Sequence, residues 1–397
     1  MKITLNKKEI LNILKTFSKQ TKDGPEIEKN IFFELQNNIL TLKNSNFDTI
    51  ISANILLENE NNFKNNFTLN AKNFENITKQ IKDNNFDMII NQDDISINGC
   101  CLEKITLEKI TNQNFQAVAD SLQNKNINFI LSIKANLFIE TIKQALAHVS
   151  SDDKRWDISG VGIDAKNNFL NIVATCGCTL YKSAIGSDLQ KITASLNYDG
   201  KVFILPKELC KQIINAKNIL QDDLIKIEFF NNSLNLDHFK IKIIGRFISA
   251  QFPPYDKLFF NAIFNFKVNL QNLIDTVKMA SKIDNDLKNN DIILKIDSKK
   301  LIATKTKQDK ILFNMPINIL ENNVGDDFSM CFNNTLLLKT LETYKTFNNN
   351  DEVVIKLSKY VPFDREANFS NTLYDPIFLE NKKENQDCSL ILMPTRH

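Results

Sequence analysis

An α+β fold made of three copies of one domain is what this sequence predicts, on three observations. The first is a short alternating strand running straight into an amphipathic helix, and it occurs three times. Ile3 and Leu5 precede Ile10, Leu11, Leu14 and Phe17; Leu131 and Ile133 precede Phe138, Ile142, Ala145, Leu146 and Val149; Phe266 and Val268 precede Leu273, Ile274, Val277 and Ala280. Apolar residues two apart share a strand face, and those three or four apart share a helix face. The second observation is another such unit after each of these. Phe67 and Leu69 lead into Phe74, Ile77 and Ile81; Phe203 and Leu205 lead into Cys210, Ile213 and Ile214; Met330 and Phe332 lead into Leu337, Leu341 and Tyr344. The third is their spacing, because the first unit precedes the second by 64, 72 and 64 residues. Internal repetition of this kind settles the architecture before any single motif does. It predicts domains at 1–125, 126–258 and 259–397, each with two helices packed on curved antiparallel sheets.

The elements follow in order. In the first domain a strand and helix cover residues 2 to 19, and Thr21–Pro25 is a turn. Ile31–Asn44 alternates with a polar break at Gln36–Asn38, which reads as a hairpin. A strand at Phe47–Leu57 follows, then a helix over Ala71–Lys82 with Asn70 as its cap. Strands at Met88–Ile90, Ile95–Ile97 and Leu102–Leu107 complete the domain. The second domain opens near Asn126, and a charged loop, Ser150–Trp156, follows its first helix. Strands come at Val161–Ile163, Leu170–Thr175 and Leu180–Ala184. Pro206 is placed in the first turn of the second helix, where a missing N–H costs little. Strands at Ile225–Phe229, Leu234–Leu236 and Phe239–Ile244 follow, and the FPPY stretch within Gln251–Lys257 suits a domain crossing. The third domain has strands at Ile292–Ile296, Leu301–Thr304 and Ile311–Pro316, a helix over Asn333–Phe347, and strands at Val353–Leu357 and Cys388–Met393. Lys382–Gln386 reads as a surface turn.

Composition bounds the function. The chain has 43% hydrophobic and 24% charged residues, as soluble globular proteins do. Its formal charge of +2 leaves any nucleic-acid role to the distribution of charge and not to its sum. The first residues lack the apolar core of a signal peptide, and no apolar run reaches the roughly 18 residues of a membrane helix. Seven scattered cysteines suit reduced thiols and a cytoplasmic location better than a disulfide framework. There is no phosphate loop, dinucleotide glycine motif, HExxH or GxSxG, and no metal or cofactor is expected. Cys176-Gly177-Cys178 is one CxC without a second ligand pair. Small residues in a strand-end turn account for it, and a reactive-thiol enzyme is the alternative. Arginine occurs only at 155, 246, 365 and 396 among 49 basic residues. A guanidinium fork binds carboxylates in two-point geometry that an ammonium cannot match, so Arg155 and Arg396 draw notice.

The threefold repeat, the VATCGCTL turn, the FPPY crossing and the ending LILMPTRH together resemble the bacterial DNA polymerase III β subunit, the sliding clamp. The resemblance spans the chain. Met393-Pro394-Thr395-Arg396-His397 is similar to that family's Met-Pro-x-Arg-x ending. It implies a non-catalytic processivity factor. It further implies that two subunits join head to tail as a homodimeric ring, encircle double-stranded DNA without reading sequence, and line the hole with the repeated helices. The implied partners are the polymerase α subunit, the clamp loader and other proteins carrying a clamp-binding motif, with no membrane role. A scaffold of the same fold that does not encircle DNA is the alternative.

The resemblance also implies sites. A partner-peptide pocket matches Arg155, Ile158, Thr175, Gly177, Cys178, Thr179, Leu180, Pro253, Lys257, Leu258, Ile391, Met393, Pro394 and Arg396. If the repeated helices line a hole, Lys8 and Lys15, Lys72 and Lys79, and Lys207 and Lys211, at same-face helical spacing, and Lys143 and Lys278 on two of the first helices would meet phosphates without reading bases, while Lys22 and Trp156 sit in loops where the family places DNA contacts. The dimer interface matches Ile105 and Leu107, facing Ile283 and Leu287. The chain departs from the family at the pocket, where Thr-Asp-Gly-His-Arg-Leu is replaced by Thr175-Cys176-Gly177-Cys178-Thr179-Leu180 and an arginine by Lys257. Asp157 is an unexpected acid beside Trp156. At the interface Lys305, Lys307 and Lys310 stand on an often acidic strand while Glu103 and Glu108 flank Ile105, so charge polarity is expected to be partly reversed.

Overall fold

The computed structural model describes residues 1–17, 26–58, 64–92, 94–98, 105–108, 126–152, 154–166, 169–194, 200–259, 264–283, 290–297, 299–307, 310–324, 329–348, 350–357, 376–383 and 386–395. Six helices of nine residues or more stand among them, two in each repeat. They are α1 (Lys7–Thr16), α2 (Ala71–Gln80), α3 (Ala135–Leu146), α4 (Lys207–Asn215), α5 (Leu270–Lys282) and α6 (Asn334–Phe347).

The first repeat carries β1 (Lys2–Asn6), β2 (Asn30–Gln36), β3 (Ile39–Ser45), β4 (Thr49–Leu56), β5 (Lys64–Asn70), β6 (Asn85–Ile90), β7 (Asp94–Asn98) and β8 (Ile105–Glu108). The second carries β9 (Ile127–Lys134), β10 (Gly160–Lys166), β11 (Phe169–Thr175), β12 (Thr179–Ile185), β13 (Gln190–Ala194), β14 (Phe203–Pro206), β15 (Leu224–Phe230), β16 (Ser233–His238) and β17 (Ile241–Arg246). The third carries β18 (Phe264–Asn269), β19 (Asp291–Asp297), β20 (Lys300–Lys307), β21 (Lys310–Asn322), β22 (Ser329–Asn333), β23 (Glu352–Leu357), β24 (Ile377–Lys383) and β25 (Gln386–Leu392).

Sheet order repeats as the sequence does. One run of four strands occurs as β1-β6-β7-β8, as β9-β15-β16-β17 and as β18-β23-β24-β25. A run of three occurs as β2-β3-β4, β10-β11-β12 and β19-β20-β21. The chain forms two compact units, residues 1–143 with 187–250 and residues 144–186 with 251–397, and the middle repeat contributes to both. Inside each unit a four-strand run is joined to a three-strand run of the neighbouring repeat. In the first unit β17 pairs with β4, setting Ile243 opposite Ile51. In the second β12 pairs with β25, setting Leu180 opposite Ile391. Two equivalent edges stay open among the described residues. β8 ends its sheet, and residues 310–316 of β21 have β20 on one side only, since β18 takes just the later part of that strand.

Local chemistry explains why helices start where they do. Asn6, Asn70, Asn269 and Asn333 each stand in extended conformation directly before α1, α2, α5 and α6. Each side-chain oxygen accepts from the third helical N–H, at 3.1, 3.1, 2.8 and 3.1 Å. Such caps satisfy a donor that the helix itself cannot. The middle repeat has Lys134 and Pro206 at these positions. Pro206 is the residue ahead of α4 at φ −57, ψ 149, not part of its first turn. The cores are aliphatic with aromatic centres. Phe33 stacks on Phe67 at 4.8 Å and meets Phe74 edge-on, while Phe129 stacks on Phe229 at 4.2 Å. α1 packs against α2 and α4, and α5 against α6.

Three features differ from expectation. β13 and β24 were not foreseen, and the turn expected at Lys382–Gln386 is the narrower hairpin closed by the Lys383–Gln386 pair. β21 runs on through Pro316, a residue that strands tolerate at edges. Phe47 stands outside its strand at φ 66.

The caps give a direct test. Asn269→Ala and Asn333→Ala should each lower unfolding free energy by about 1 kcal/mol, read from urea midpoints. Lys134→Ala removes no cap and should stay within about 0.5 kcal/mol of the parent.

Candidate functional site

Most of the expected pocket residues lie in the second unit, around one end of β10-β11-β12-β25. Gly162 pairs with Val173, so the start of β10, and the 3-10 turn Trp156–Ile158 before it, lie at the same end as Thr175. Thr175 faces Leu180 across β11 and β12, and Leu180 faces Ile391 across β12 and β25. Directly paired residues share a face. Lys182, two residues on, points the same way. Its ammonium lies 5.3 Å from the Tyr255 ring, 4.9 Å from the Phe259 ring and 3.3 Å from Asp256 Oδ1. The Phe252–Leu258 segment therefore covers the face that carries Thr175, Leu180 and Ile391. Tyr255 anchors it by donating to Asp164 Oδ2 at 2.7 Å. Burial raises the Asp164 carboxyl above its usual range, and its other oxygen has no hydrogen-bond partner among the described residues.

The turn between β11 and β12 is self-bonded. The Thr175 hydroxyl donates to Thr179 O at 2.6 Å and accepts from Gly177 N–H at 3.0 Å. Gly177 has φ +90, a conformation that other residues rarely adopt. Met393 N–H donates to Cys178 O at 2.9 Å, and Thr395 N–H to Cys331 O at 2.8 Å, which fixes the tail across the turn. His148 underlies the arrangement. Its Nδ1 lies 3.1 Å from Thr179 Oγ1 and its Nε2 3.0 Å from Thr343 Oγ1 on α6. Burial, and after it Lys339, push the imidazole down to about 3, so it is neutral.

The surface of this site is uneven. Ile158, Thr179, Leu180 and Ile391 are buried, Thr175, Pro253 and Pro394 are half-buried, and Arg155, Gly177, Cys178 and Lys257 are exposed. Leu258 is 49% and Met393 38% exposed. Arg155 donates through Nε and Nη2 to Asp157 at 3.2 and 3.1 Å, so the unexpected acid is the arginine's own partner and its carboxyl is held below the usual range. Arg396 lies outside the described residues. Burial, and after it Cys176, raise the Cys178 thiol above its ordinary value. A thiol held in its protonated form is a poor nucleophile, which weighs against catalysis by Cys178.

The helix lysines fall into two groups. Lys79 pairs with Glu75 at 2.6 Å, Lys143 with Glu140 at 3.9 Å, Lys211 with Glu208 at 3.8 Å and Lys278 with Glu342 at 2.8 Å. Lys8, Lys15 and Lys72 are exposed and have no ion pair among the described residues. Lys207 is half-buried, Trp156 is exposed, and Lys22 lies outside the described residues. Of the interface residues, Ile105 and Leu107 lie on the edge strand β8, with Leu107 half-buried. Ile283 is half-buried and ends α5, while Leu287 and Glu103 lie outside the described residues. Lys305, expected among the charges flanking the interface, is buried.

No family model matches the sequence. A search of curated proteins finds the β sliding clamp of Buchnera aphidicola subsp. Rhopalosiphum padi, 22% identical over 328 residues, 81% of this chain and 84% of that protein. Among solved structures, the Pseudomonas aeruginosa sliding clamp bound to griselimycin superposes with a TM-score of 0.81 at 15% identity, each chain covered in full. The β subunit of Streptococcus pyogenes DNA polymerase gives 0.79 at 19% identity, again with both chains fully covered. The fold is that of the bacterial DNA polymerase sliding clamp. Sequence reasoning singled out the 175–180 turn and the tail but missed what holds them. Asp164 was the available signal, as a lone acid inside the apolar strand GVGIDAK must find a partner. Among the described residues no group of His, Cys, Asp or Glu could hold a metal ion, and no helix is long and apolar enough to cross a membrane.

His148 makes the site's stability pH-dependent. Its folded value lies below the ordinary 6.5, so the unfolded chain takes the proton first. The contribution is complete above pH 6.5 and is lost toward pH 3, at up to about 1.4 kcal/mol per unit. His148→Gln keeps hydrogen-bonding groups and does not titrate. Urea midpoints at pH 7 and 5 should fall less for this variant than for the parent.

Proposed function

We propose that the protein is a sliding clamp, a non-catalytic processivity factor that closes as a head-to-tail homodimeric ring around duplex DNA. It tethers the replicative polymerase and other partners through the site on β10-β11-β12-β25. The domains are 1–125, 126–258 and 259–397. The observation that carries this reading is the pair of open edges. A four-strand run meets the three-strand run of its neighbour twice within the chain, at β17–β4 and β12–β25. The same rule leaves β8 and residues 310–316 of β21 for one another, on separate copies. Unpaired edges attract strands, and a closed ring removes them. Ile311 on that edge is 65% exposed, as a residue awaiting a partner surface would be.

DNA is held by enclosure, with Lys8, Lys15, Lys22, Lys72, Lys79, Lys143, Lys207, Lys211, Lys278 and Trp156 toward the duplex. Partner peptides seat an apolar residue against Leu258 and Met393, over Thr175, Leu180 and Ile391, flanked by Arg155, Ile158, Gly177–Thr179, Pro253, Lys257, Pro394 and Arg396. The polymerase α subunit and the clamp loader are the partners this implies. Retention by topology needs no tight contact, because it raises local concentration. A second reading, a scaffold of this fold that does not encircle DNA, draws on the four DNA-facing lysines already paired with acids.

Sedimentation equilibrium over a dilution series should give a dimer of twice 45.6 kDa. Loaded protein should then stay on nicked circular DNA in high salt and leave when the circle is cut. Equal loss from both forms would favour the scaffold. Leu258→Asp should weaken binding of an apolar polymerase tail peptide about tenfold or more without changing the dimer, read by fluorescence anisotropy.

A further inference from the structure

We propose that Lys305 is a positioning residue for self-association, locking the end of α5 to the open β21 edge that a second copy of this chain would cover. It rests on the ring reading above. β20 alternates, and Leu301, Ala303 and Lys305 share its inward face, all buried. An apolar residue is what that position asks for. A lysine is there instead, with 1% exposure, its stem in the core and its ammonium at the end of α5. It donates to Ile283 O at 2.7 Å and Ala280 O at 3.4 Å.

Ala280 lies in the last turn of α5 and Ile283 caps it, where carbonyls lack the i+4 helical N–H partners of the interior. The end of a helix carries partial negative charge, so a cation there is favoured. Ala280 O also takes the N–H of Ile283, so one ammonium and one turn fix the same residue. Lys305 pairs in turn with Phe313 of β21, inside the open stretch 310–316. The same stretch shows Ile311 and Leu312 to solvent. One side chain thus ties together Ile283 and the free edge, the two pieces that a partner must meet in fixed relation. The occupant is another copy of this chain, because β8 is the unmatched edge of equivalent place in the repeat.

The experiment measures dimer dissociation by sedimentation velocity for the parent, Lys305→Met and Lys305→Arg, with far-UV circular dichroism on each. Met keeps length and burial but donates nothing, and Arg keeps the donors. The Met variant should raise the dissociation constant tenfold or more with an unchanged spectrum, and the Arg variant should stay within threefold. A Met variant that associates like the parent overturns the proposal. Hydrogen exchange on the parent covers the case in which the Met variant does not fold. The Ser281–Ile283 amides should exchange at least threefold slower in dimer than in monomer, and equal rates overturn the proposal. A parent that is monomeric at every concentration removes the ring reading itself, which is distinct from a dimeric parent indifferent to Lys305.

Discussion

Strand pairing between neighbouring repeats is the constraint on which the rest depends. A run of four strands and a run of three each end in a row of unpaired backbone groups, and leaving such rows exposed invites aggregation. The chain resolves this internally at β17–β4 and β12–β25. Each joint draws one strand from the middle repeat, so the compact units divide that repeat between them, although the sequence marks it as one. The second joint also creates the candidate site. It places Leu180 beside Ile391 and brings the 175–179 turn within reach of Met393 N–H.

The site combines a rigid base with an exposed apolar rim. Its base is fixed by short polar links that never reach solvent, such as the Thr179–His148–Thr343 chain and the Tyr255–Asp164 bond. Buried polar groups that are fully bonded specify one arrangement, whereas an unmet oxygen such as Asp164 Oδ1 costs stability. Leu258 and Met393 remain on the surface because each belongs to a segment anchored elsewhere, at Tyr255 and at Thr395. Cys178 and Thr179, at the turn where the sliding-clamp pattern has His and Arg, offer little charge. On the proposed reading, selection of a peptide here would fall to shape and to apolar contact.

Much of this was readable from residue spacing, and the failures have physical causes. The offset between units, the hairpin at Ile31–Asn44 and the helix faces follow from periods of two and of three to four, which do not depend on distant partners. The cap at Asn70 was legible, and Asn6, Asn269 and Asn333 obey the same rule. β24, IFLENKK, was not, because its apolar run turns charged without alternating, and its status depends on β25 beside it. β13 is short and polar and is a strand only through pairing with β9. Lys305 misled through its residue type. Period two puts it with Leu301 and Ala303, yet a lysine reads as surface until a buried set of carbonyls accounts for it.

Charge follows the same logic of neighbours over residue type. Counting lysines on the repeated helices suggests a cationic lining, but Glu75, Glu140, Glu208 and Glu342 stand within reach of four of them. Exposed pairs of this kind contribute little to stability and are screened by salt. Their effect is on the field, which they flatten. On the proposed reading, a phosphate backbone would meet local cations at Lys8, Lys15 and Lys72 and four partly neutralised lysines, so few counterions would be released on contact. Weak, non-directional attraction is what a ring needs if it is to slide, since each strong contact adds friction. On the proposed reading, closure at the β8 and β21 edges carries retention and the helices only keep the duplex centred.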